Sequence, residues 1–184
     1  LDPGLSDHGR RQAEQVAAAL SSEPLTAVYS SPMRRARETA EVIAQRHDLS
    51  VSVAAGLAEF DRGATYLHFE DMDADSPYHL YLQGDLTPWG TTAEDFRKRV
   101  VQAFDEIVAA HPGSEVAVVS HGGVHNAFLG QVLGISSLHF HAPAYAGISR
   151  VQASTSGVRT IVSLNETMHQ RCDATVSAAN YLSR

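Results

Sequence analysis

Several features that would point to particular protein classes are scarce in this chain. Cys172 is the single cysteine, so an internal disulfide is excluded and cysteine usage says nothing about the redox compartment. No run of 18 or more apolar residues occurs, which argues against a membrane span. With 14 basic and 21 acidic residues the formal net charge is −7, so broad nucleic-acid binding is not expected. We therefore expect neither a membrane nor a nucleic-acid partner, and the cytoplasm is the default location.

Metal-binding motifs are scarce too, although the chain has 10 histidines. It contains no HExxH, no Cys-x-x-Cys and no Asp/His cluster at ligand spacing. His139 and His141 would share one face of an extended segment, and His68 and His79 lie in a separate acidic stretch. A metal hydrolase is thus a minor alternative, and we predict no metal and no cofactor.

The residues that are present fit one globular domain. The chain has 184 residues, close to an average domain length, and 43% of them are hydrophobic. A chain of this length buries about 70% of the surface that it exposes when unfolded, so it needs no disulfide or metal to stabilise it. We predict a single domain over residues 1–184.

Three helices are predicted from apolar residues spaced three or four positions apart. Ser6 or Asp7 can cap the first helix, and a capping box of Thr91 and Glu94 can begin the third. The second helix follows Pro32. The predicted buried faces of the three helices comprise Ala13, Val16, Ala17 and Leu20; Ala36, Ala40 and Ile43; and Phe96, Val100, Phe104 and Ile107.

Strand patterns alternate with these helices. The apolar runs at 26–29 and 115–119 predict strands that are buried on both faces, and 147–153 and 158–163 predict two further strands. The alternation indicates a three-layer α/β/α fold with a mostly parallel central sheet. Because the sequence opens with a helix that leads into a strand, and right-handed crossovers begin from a strand, we expect a further strand upstream of Leu1.

Three polar segments follow predicted strands or lie in loops, where open α/β sheets bind their ligands. They are Ser30-Ser31-Pro32-Met33-Arg34-Arg35-Ala36-Arg37-Glu38-Thr39-Ala40, Leu57-Ala58-Glu59-Phe60-Asp61-Arg62-Gly63 and Val118-Val119-Ser120-His121-Gly122-Gly123. In this order, and together with the opening 2–13 and the ending 163–166, they resemble the histidine phosphatase superfamily, which includes phosphoglycerate mutases. The resemblance spans nearly the whole chain and implies the phosphoglycerate mutase-like fold.

The resemblance also implies roles for particular residues. Arg35 and His121, with Gly122 beside it, would bind the transferred phosphoryl group, because a guanidinium and backbone N–H groups at a helix start suit phosphate oxygens. Glu59 would donate a proton to the leaving oxygen, with Asp61 as its rival, and needs a raised pKa to do so. His125 is close enough in sequence to line the same pocket.

The sequence departs from the family at one point. The Arg-His-Gly motif, whose histidine takes the phosphoryl group, does not occur. His8-Gly9 follows Asp7 instead of arginine and lies at a helix start, so we interpret His8 as a solvent-facing residue. The resemblance therefore places the nucleophilic histidine upstream of Leu1, and implies a metal-independent reaction through a phosphohistidine.

Residues 64–92 correspond to a lid-like insertion within the domain. This segment contains no lysine or arginine but has several acidic and aromatic residues, namely Glu70, Asp71, Asp73, Asp75 and Asp85, with Tyr66, Phe69, Tyr78, Tyr81 and Trp89. An acidic lid disfavours a substrate with a second phosphate and a carboxylate, so a phosphatase with a small phosphorylated substrate is preferred to a mutase. A non-catalytic phosphate-binding relative remains the alternative of another class, and a homodimer is compatible with the sequence.

Overall fold

The computed structural model describes residues 2–64 and 77–170. Helices and strands alternate over most of this range, as the sequence predicts. In chain order they are α1 (Asp7–Ala19), β1 (Leu25–Ser30), α2 (Arg34–Arg46), β2 (Val51–Val53), α3 (Tyr78–Leu82), α4 (Ala93–Ala110), β3 (Glu115–Val119), α5 (Gly122–Leu133), β4 (Ile148–Ala153) and β5 (Arg159–Glu166).

Three strands form a parallel sheet in the order β2–β1–β3. Val28 of β1 is paired with Val51 on one side and with Ala117 on the other. β4 and β5 form a separate antiparallel ladder, in which Val151 is paired with Ile161. The predicted α/β class with a mostly parallel sheet flanked by helices is confirmed.

The helices cover the sheet on two faces, and each face has its own hydrophobic core. α1 and α2 supply one core around Val28, and α4 and α5 supply the other around Phe96. The predicted helix faces are buried, except that Phe104 is half-buried and stacks on Phe128 with 3.9 Å between ring centroids. Each fully buried leucine, valine or phenylalanine stabilises the fold by about 1.5–3 kcal/mol.

The start of α4 differs from the prediction by one residue. The cap is Thr92, not Thr91: its Oγ1 accepts a hydrogen bond from the Asp95 N–H at 3.0 Å and also contacts the Asp95 carboxylate at 2.8 Å. The predicted box of Thr91 and Glu94 is therefore wrong. Two adjacent threonines followed by two adjacent acids fit both registers, so the spacing alone could not distinguish them. The first helix is capped by Ser6, one of the two predicted candidates.

β3 and β4 each have one edge that makes no ladder within the described residues. Side chains of both strands nevertheless contact the same two cores: Val118 and Val151 lie against one, Val119 and Ile148 against the other. β3 is apolar over Val116–Val119 yet only half-buried. Its sequence predicts burial on both faces, whereas no residue of β3 is fully buried and no strand covers its second edge within the described residues.

The described part of the predicted insertion, residues 77–92, packs through its aromatic residues onto Phe60 and the loop after α5. Phe60 is stacked on Tyr81 with a centroid distance of 4.7 Å, and it meets Trp89 edge-on at 4.8 Å. The Tyr81 hydroxyl donates a hydrogen bond to the Leu138 carbonyl at 2.8 Å. The remaining predicted lid residues lie outside the described part of the chain, namely Tyr66, His68, Phe69, Glu70, Asp71, Asp73 and Asp75.

Among the helices of residues 2–64 and 77–170, none combines the length and the apolar character required to traverse a bilayer.

Candidate active site

The carboxyl ends of β1 and β3 meet at one point. Ser31, directly after β1, donates its backbone N–H to the Val119 carbonyl at 2.9 Å. The Ser31 Oγ lies 2.7 Å from Nε2 of His121, the second residue after β3. Ser31 is completely buried, so this hydrogen bond fixes the orientation of the imidazole. The sequence motif contains Ser31, but nothing in its spacing assigned it this contact.

His121 caps α5 with extended backbone and is half-buried. Burial, and then the positive charge of Arg35, lower the pKa of His121 to about 3. The ring is therefore neutral at physiological pH. A neutral imidazole has one N–H donor and one acceptor nitrogen, so it can bind a phosphoryl oxygen without carrying charge itself.

Arg35 is the arginine of α2 that faces the site. It is half-buried, whereas Arg34 and Arg37 are exposed and Arg34 forms an ion pair with Glu38 at 2.7 Å. Arg35 Nη1 lies 3.9 Å from Asp2 Oδ1. Its positive charge lowers the pKa values of both His121 and Glu59, so Arg35 lies near both groups. Arg34 and Arg37 point to solvent instead, which is the difference among the three arginines that we predict from the sequence.

Glu59 is a buried carboxyl group, with 8% of its surface exposed. Its Oε2 accepts a hydrogen bond from the Gly123 N–H at 2.8 Å, and its Oε1 accepts one from the Phe60 N–H at 3.1 Å. Burial raises the pKa of Glu59 to about 7; the Gly123 N–H opposes this and the charge of Asp61 adds to it. Glu59 can therefore give up or take a proton near neutral pH, as its predicted role requires.

Gly123 is a site residue that sequence reasoning missed. A Cβ at this position would lie 2.4 Å from Glu59 Oε1 and 3.0 Å from Cδ, so only glycine lets α5 approach the carboxyl group this closely. Gly122, the predicted phosphate-binding glycine, is the first residue of α5 and is half-buried. The two consecutive glycines after His121 indicate a close approach of the backbone to another group. Their spacing does not show which of the two contacts Glu59.

Asp61 and Tyr78 form a second buried pair beside Glu59. Asp61 is 8% exposed, and its Oδ2 accepts a hydrogen bond from the Tyr78 hydroxyl at 2.5 Å. Burial, followed by this hydrogen bond, raises the pKa of Tyr78. Tyr78 begins α3, and no pattern in the sequence predicts that it reaches Asp61.

A cleft of about 220 Å³ opens at this end of the sheet. Its charged lining comprises two arginines and two aspartates, Arg35, Arg62, Asp2 and Asp61. Small-molecule pockets typically occupy ~300–1,000 Å³, so the described cleft suits a small ligand.

The remaining candidate histidines lie elsewhere or have other neighbours. His8 is exposed in the first turn of α1, as predicted. His125 lies one turn after His121, with its ring 6.2 Å from that of His141. His139 meets Tyr81 edge-on. Across residues 2–64 and 77–170, no group of three or more His, Cys, Asp or Glu side chains is placed to hold a metal ion.

The geometry agrees with comparisons to known proteins. The family model described as histidine phosphatase superfamily (branch 1) matches residues 1–167. The chain belongs to this superfamily. It is 37% identical over 121 residues to an uncharacterized protein of Mycobacterium tuberculosis, a match that covers 64% of this chain but 60% of the relative. It is also 31% identical over 151 residues to phosphoserine phosphatase 1 of Hydrogenobacter thermophilus, covering 76% and 69% of the two chains.

Solved structures of superfamily proteins share the fold. Phosphoserine phosphatase of Entamoeba histolytica, in complex with 3-phosphoglyceric acid, superposes with a TM-score of 0.76 at 27% identity, covering 91% of this chain and 87% of that one. Mycobacterial glucosyl-3-phosphoglycerate phosphatase, in complex with VO3, gives 0.76 at 26% identity, covering 91% and 89%. The predicted phosphoglycerate mutase-like fold is confirmed.

Proposed function

We propose that this protein hydrolyses phosphomonoesters through a phosphohistidine intermediate. The observation that carries the proposal is the convergence of Arg35, a neutral His121 and a buried Glu59 with a raised pKa where β1 and β3 end. A fixed cation and neutral hydrogen-bond donors stabilise the charge that spreads over a transferring phosphoryl group. The phosphatase names of related proteins support the same activity.

The nucleophile of this proposal is a histidine on a strand upstream of Leu1. The open edges of β3 and β4 support it, because the two strands share both hydrophobic cores without pairing with each other in the described residues. A parallel strand between them would end beside His121, since the carboxyl ends of parallel strands lie at one edge of a sheet.

The reaction then has two steps. The imidazole nitrogen of the nucleophile attacks phosphorus, the P–N bond forms, and the P–O bond to the leaving group breaks as Glu59 transfers its proton to that oxygen. In the second step Glu59 accepts a proton from water, the water oxygen bonds to phosphorus, and the P–N bond breaks. Phosphate leaves and Glu59 is protonated again, so no metal enters the scheme.

A phosphatase is preferred to a mutase because of the charged residues that line the cleft and the composition of residues 64–92. Asp2 and Asp61 accompany the arginines in its lining, and residues 64–92 contain no lysine or arginine. A bisphosphorylated substrate with a carboxylate would need additional basic groups. A relative from Klebsiella pneumoniae bears the name probable phosphoglycerate mutase at 29% identity, so mutase activity is the alternative to measure.

The role of Glu59 gives a direct test in the intact protein. Glu59→Gln should lower kcat/KM for alkyl phosphates by about 10²–10⁴, the usual contribution of general acid catalysis. The loss should be smaller for p-nitrophenyl phosphate, because nitrophenolate leaves without being protonated. Steady-state kinetics with both ester types checks this, with the exposed Glu41→Gln on α2 as a matched control. An equal loss for both types would remove Glu59 from the proton-donor role.

A further inference from the structure

The buried carboxylate of Asp61 has an acceptor atom that the proposed reaction does not use. Its Oδ2 is occupied by the Tyr78 hydroxyl, whereas its Oδ1 is buried without a hydrogen-bond partner. An unsatisfied buried acceptor carries a cost that native proteins rarely accept without a reason. Asp61 also lines the cleft next to Arg35, the residue predicted to bind the phosphoryl group.

Of the two acids that line the cleft, Asp61 is buried, whereas Asp2 is exposed. Asp2 accepts a hydrogen bond from the Arg34 N–H at 2.9 Å and lies 3.9 Å from Arg35 Nη1. Arg62 is exposed at the rim, where solvent and salt screen its charge. Under the proposed function, the charge of Arg35 is balanced by the phosphoryl group.

A cationic group is the ligand that best complements such a carboxylate. An alkylammonium donates charge-assisted hydrogen bonds, which are about twice as strong as neutral ones. The net charge of −7 also favours a cation over an anion.

We propose that the cleft takes phosphomonoesters whose leaving group carries a protonated primary amine, and that Asp61 binds this amine while Arg35 and His121 bind the phosphoryl group. The proposal rests on the phosphomonoesterase activity proposed above and specifies its substrate class. Tyr78 positions Asp61, so the insertion contributes to specificity through this hydrogen bond.

Two esters of equal length test the proposal. O-phosphoethanolamine and 2-hydroxyethyl phosphate differ in carrying an ammonium or a hydroxyl group, and the ammonium is protonated at pH 7. The intact protein should prefer the amine by about 10–100-fold in kcat/KM, as expected for a hydrogen bond to a charged group. In Asp61→Asn the preference should disappear. The ratio of the two kcat/KM values is independent of any change in the proton transfer from Glu59, because both esters depend on this transfer.

Asp85→Asn is the matched control, because Asp85 is another acid of the insertion and accepts its hydrogen bonds within its own turn, from Thr87. Its preference for the amine should equal that of the parent protein. Equal hydrolysis of the two esters by the parent protein overturns the inference and leaves the proposed function intact. If Asp61→Asn still prefers O-phosphoethanolamine, the inference is overturned as well, because Asp61 then does not bind the amine. The Oδ1 atom would in that case bind only water.

If neither ester nor p-nitrophenyl phosphate is hydrolysed, the proposed function fails, and calorimetric titration with the same two esters decides the inference. Tighter binding of the amine that is lost in Asp61→Asn supports a cation site at this carboxylate. Equal binding of both esters overturns it.

Discussion

At the scale of single residues, the contact between Glu59 and α5 leaves no room for a side chain at Gly123. Gly123→Ala should displace the carboxyl group and remove its hydrogen bond, because the added Cβ would lie 2.4 Å from Oε1. We expect a loss of about 10²-fold or more in kcat for alkyl phosphates, measured by steady-state kinetics, since Glu59 supplies general acid catalysis.

Gly122→Ala is the comparison for that change. A Cβ at Gly122 would meet Pro143 Cγ at 3.6 Å, an ordinary contact, and the backbone N–H is kept. Its effect should be far smaller than that of Gly123→Ala. Equal losses in the two variants would show that the helix start, rather than the position of Glu59, determines the rate.

The hydroxyl of Ser31 gives a second prediction at this scale. Ser31→Ala removes the contact with His121 Nε2 and the hydrogen bond accepted from the Met33 N–H at 3.2 Å. Stability should fall by about 1–3 kcal/mol, and kcat should fall about tenfold with little change in KM, because the imidazole loses its orientation. Urea unfolding and steady-state kinetics measure the two effects.

Ser30→Ala separates stability from catalysis. Ser30 is equally buried, but its hydroxyl donates to the Ser31 carbonyl at 2.9 Å and does not contact the imidazole. It should lose stability without a comparable loss of kcat. If both variants lose the same activity, the Ser31 contact has no catalytic role.

The sequence was sufficient to identify a site residue where a motif distinguishes it from chemically similar neighbours. Arg35 could be separated from Arg34 and Arg37 by motif position, and the structure places it apart from them at the cleft. The partners of Glu59 and Asp61 could not be predicted, because Gly123 and Tyr78 approach them from elements far away in the chain. Such contacts depend on how the elements pack, and no local spacing encodes them.

At the scale of elements, α5 has one histidine as its N-terminal cap and a second one in its first turn, and both are neutral in the folded protein. Burial and Arg35 lower the pKa of His121 to about 3, and burial and His141 lower the pKa of His125 to about 4. Between these values and about 6.5 the unfolded chain binds more protons than the folded one. Each histidine therefore lowers the free energy of unfolding as pH falls through this window, by up to about 1.4 kcal/mol per pH unit.

Glu59 acts in the opposite direction, because its pKa is raised to about 7 and the folded protein holds its proton through much of the same window. The contribution of one histidine to the pH dependence of stability can be isolated by comparing the parent protein with a variant that lacks this histidine. The unfolding free energy of His125→Gln should fall less than that of the parent between pH 6.5 and pH 4.5, as measured by urea unfolding. Identical pH slopes would mean that His125 is protonated in the folded protein.

Helix starts and short elements were the least predictable features at this scale. The periodicity of α4 located its buried face, but adjacent threonines left its cap ambiguous by one residue. α3 has five residues and was not predicted, since its aromatic residues derive their order from packing on Phe60 rather than from helix periodicity.

At the scale of the whole molecule, the two ladders contact the same two hydrophobic cores, and β3 and β4 do not pair with each other within the described residues. The alternation of elements was sufficient to predict the α/β class, because binary patterns follow the geometry of helices and strands. The half-burial of β3 could not be predicted from an apolar run, which reports what a strand can bury and not whether a neighbour covers its edge. The proposed upstream strand would supply that neighbour.

The most direct measurement is to identify the phosphorylated residue during turnover. The intact protein would be mixed with a phosphomonoester, quenched with alkali, in which phosphohistidine is stable, and its peptides sequenced by mass spectrometry. We predict a phosphohistidine upstream of Leu1 that accumulates in Glu59→Gln when p-nitrophenyl phosphate is the substrate, because the attack of water on the phosphohistidine is then slowed. Phosphate on His121, on another residue of 1–184, or on no residue during rapid hydrolysis would contradict it.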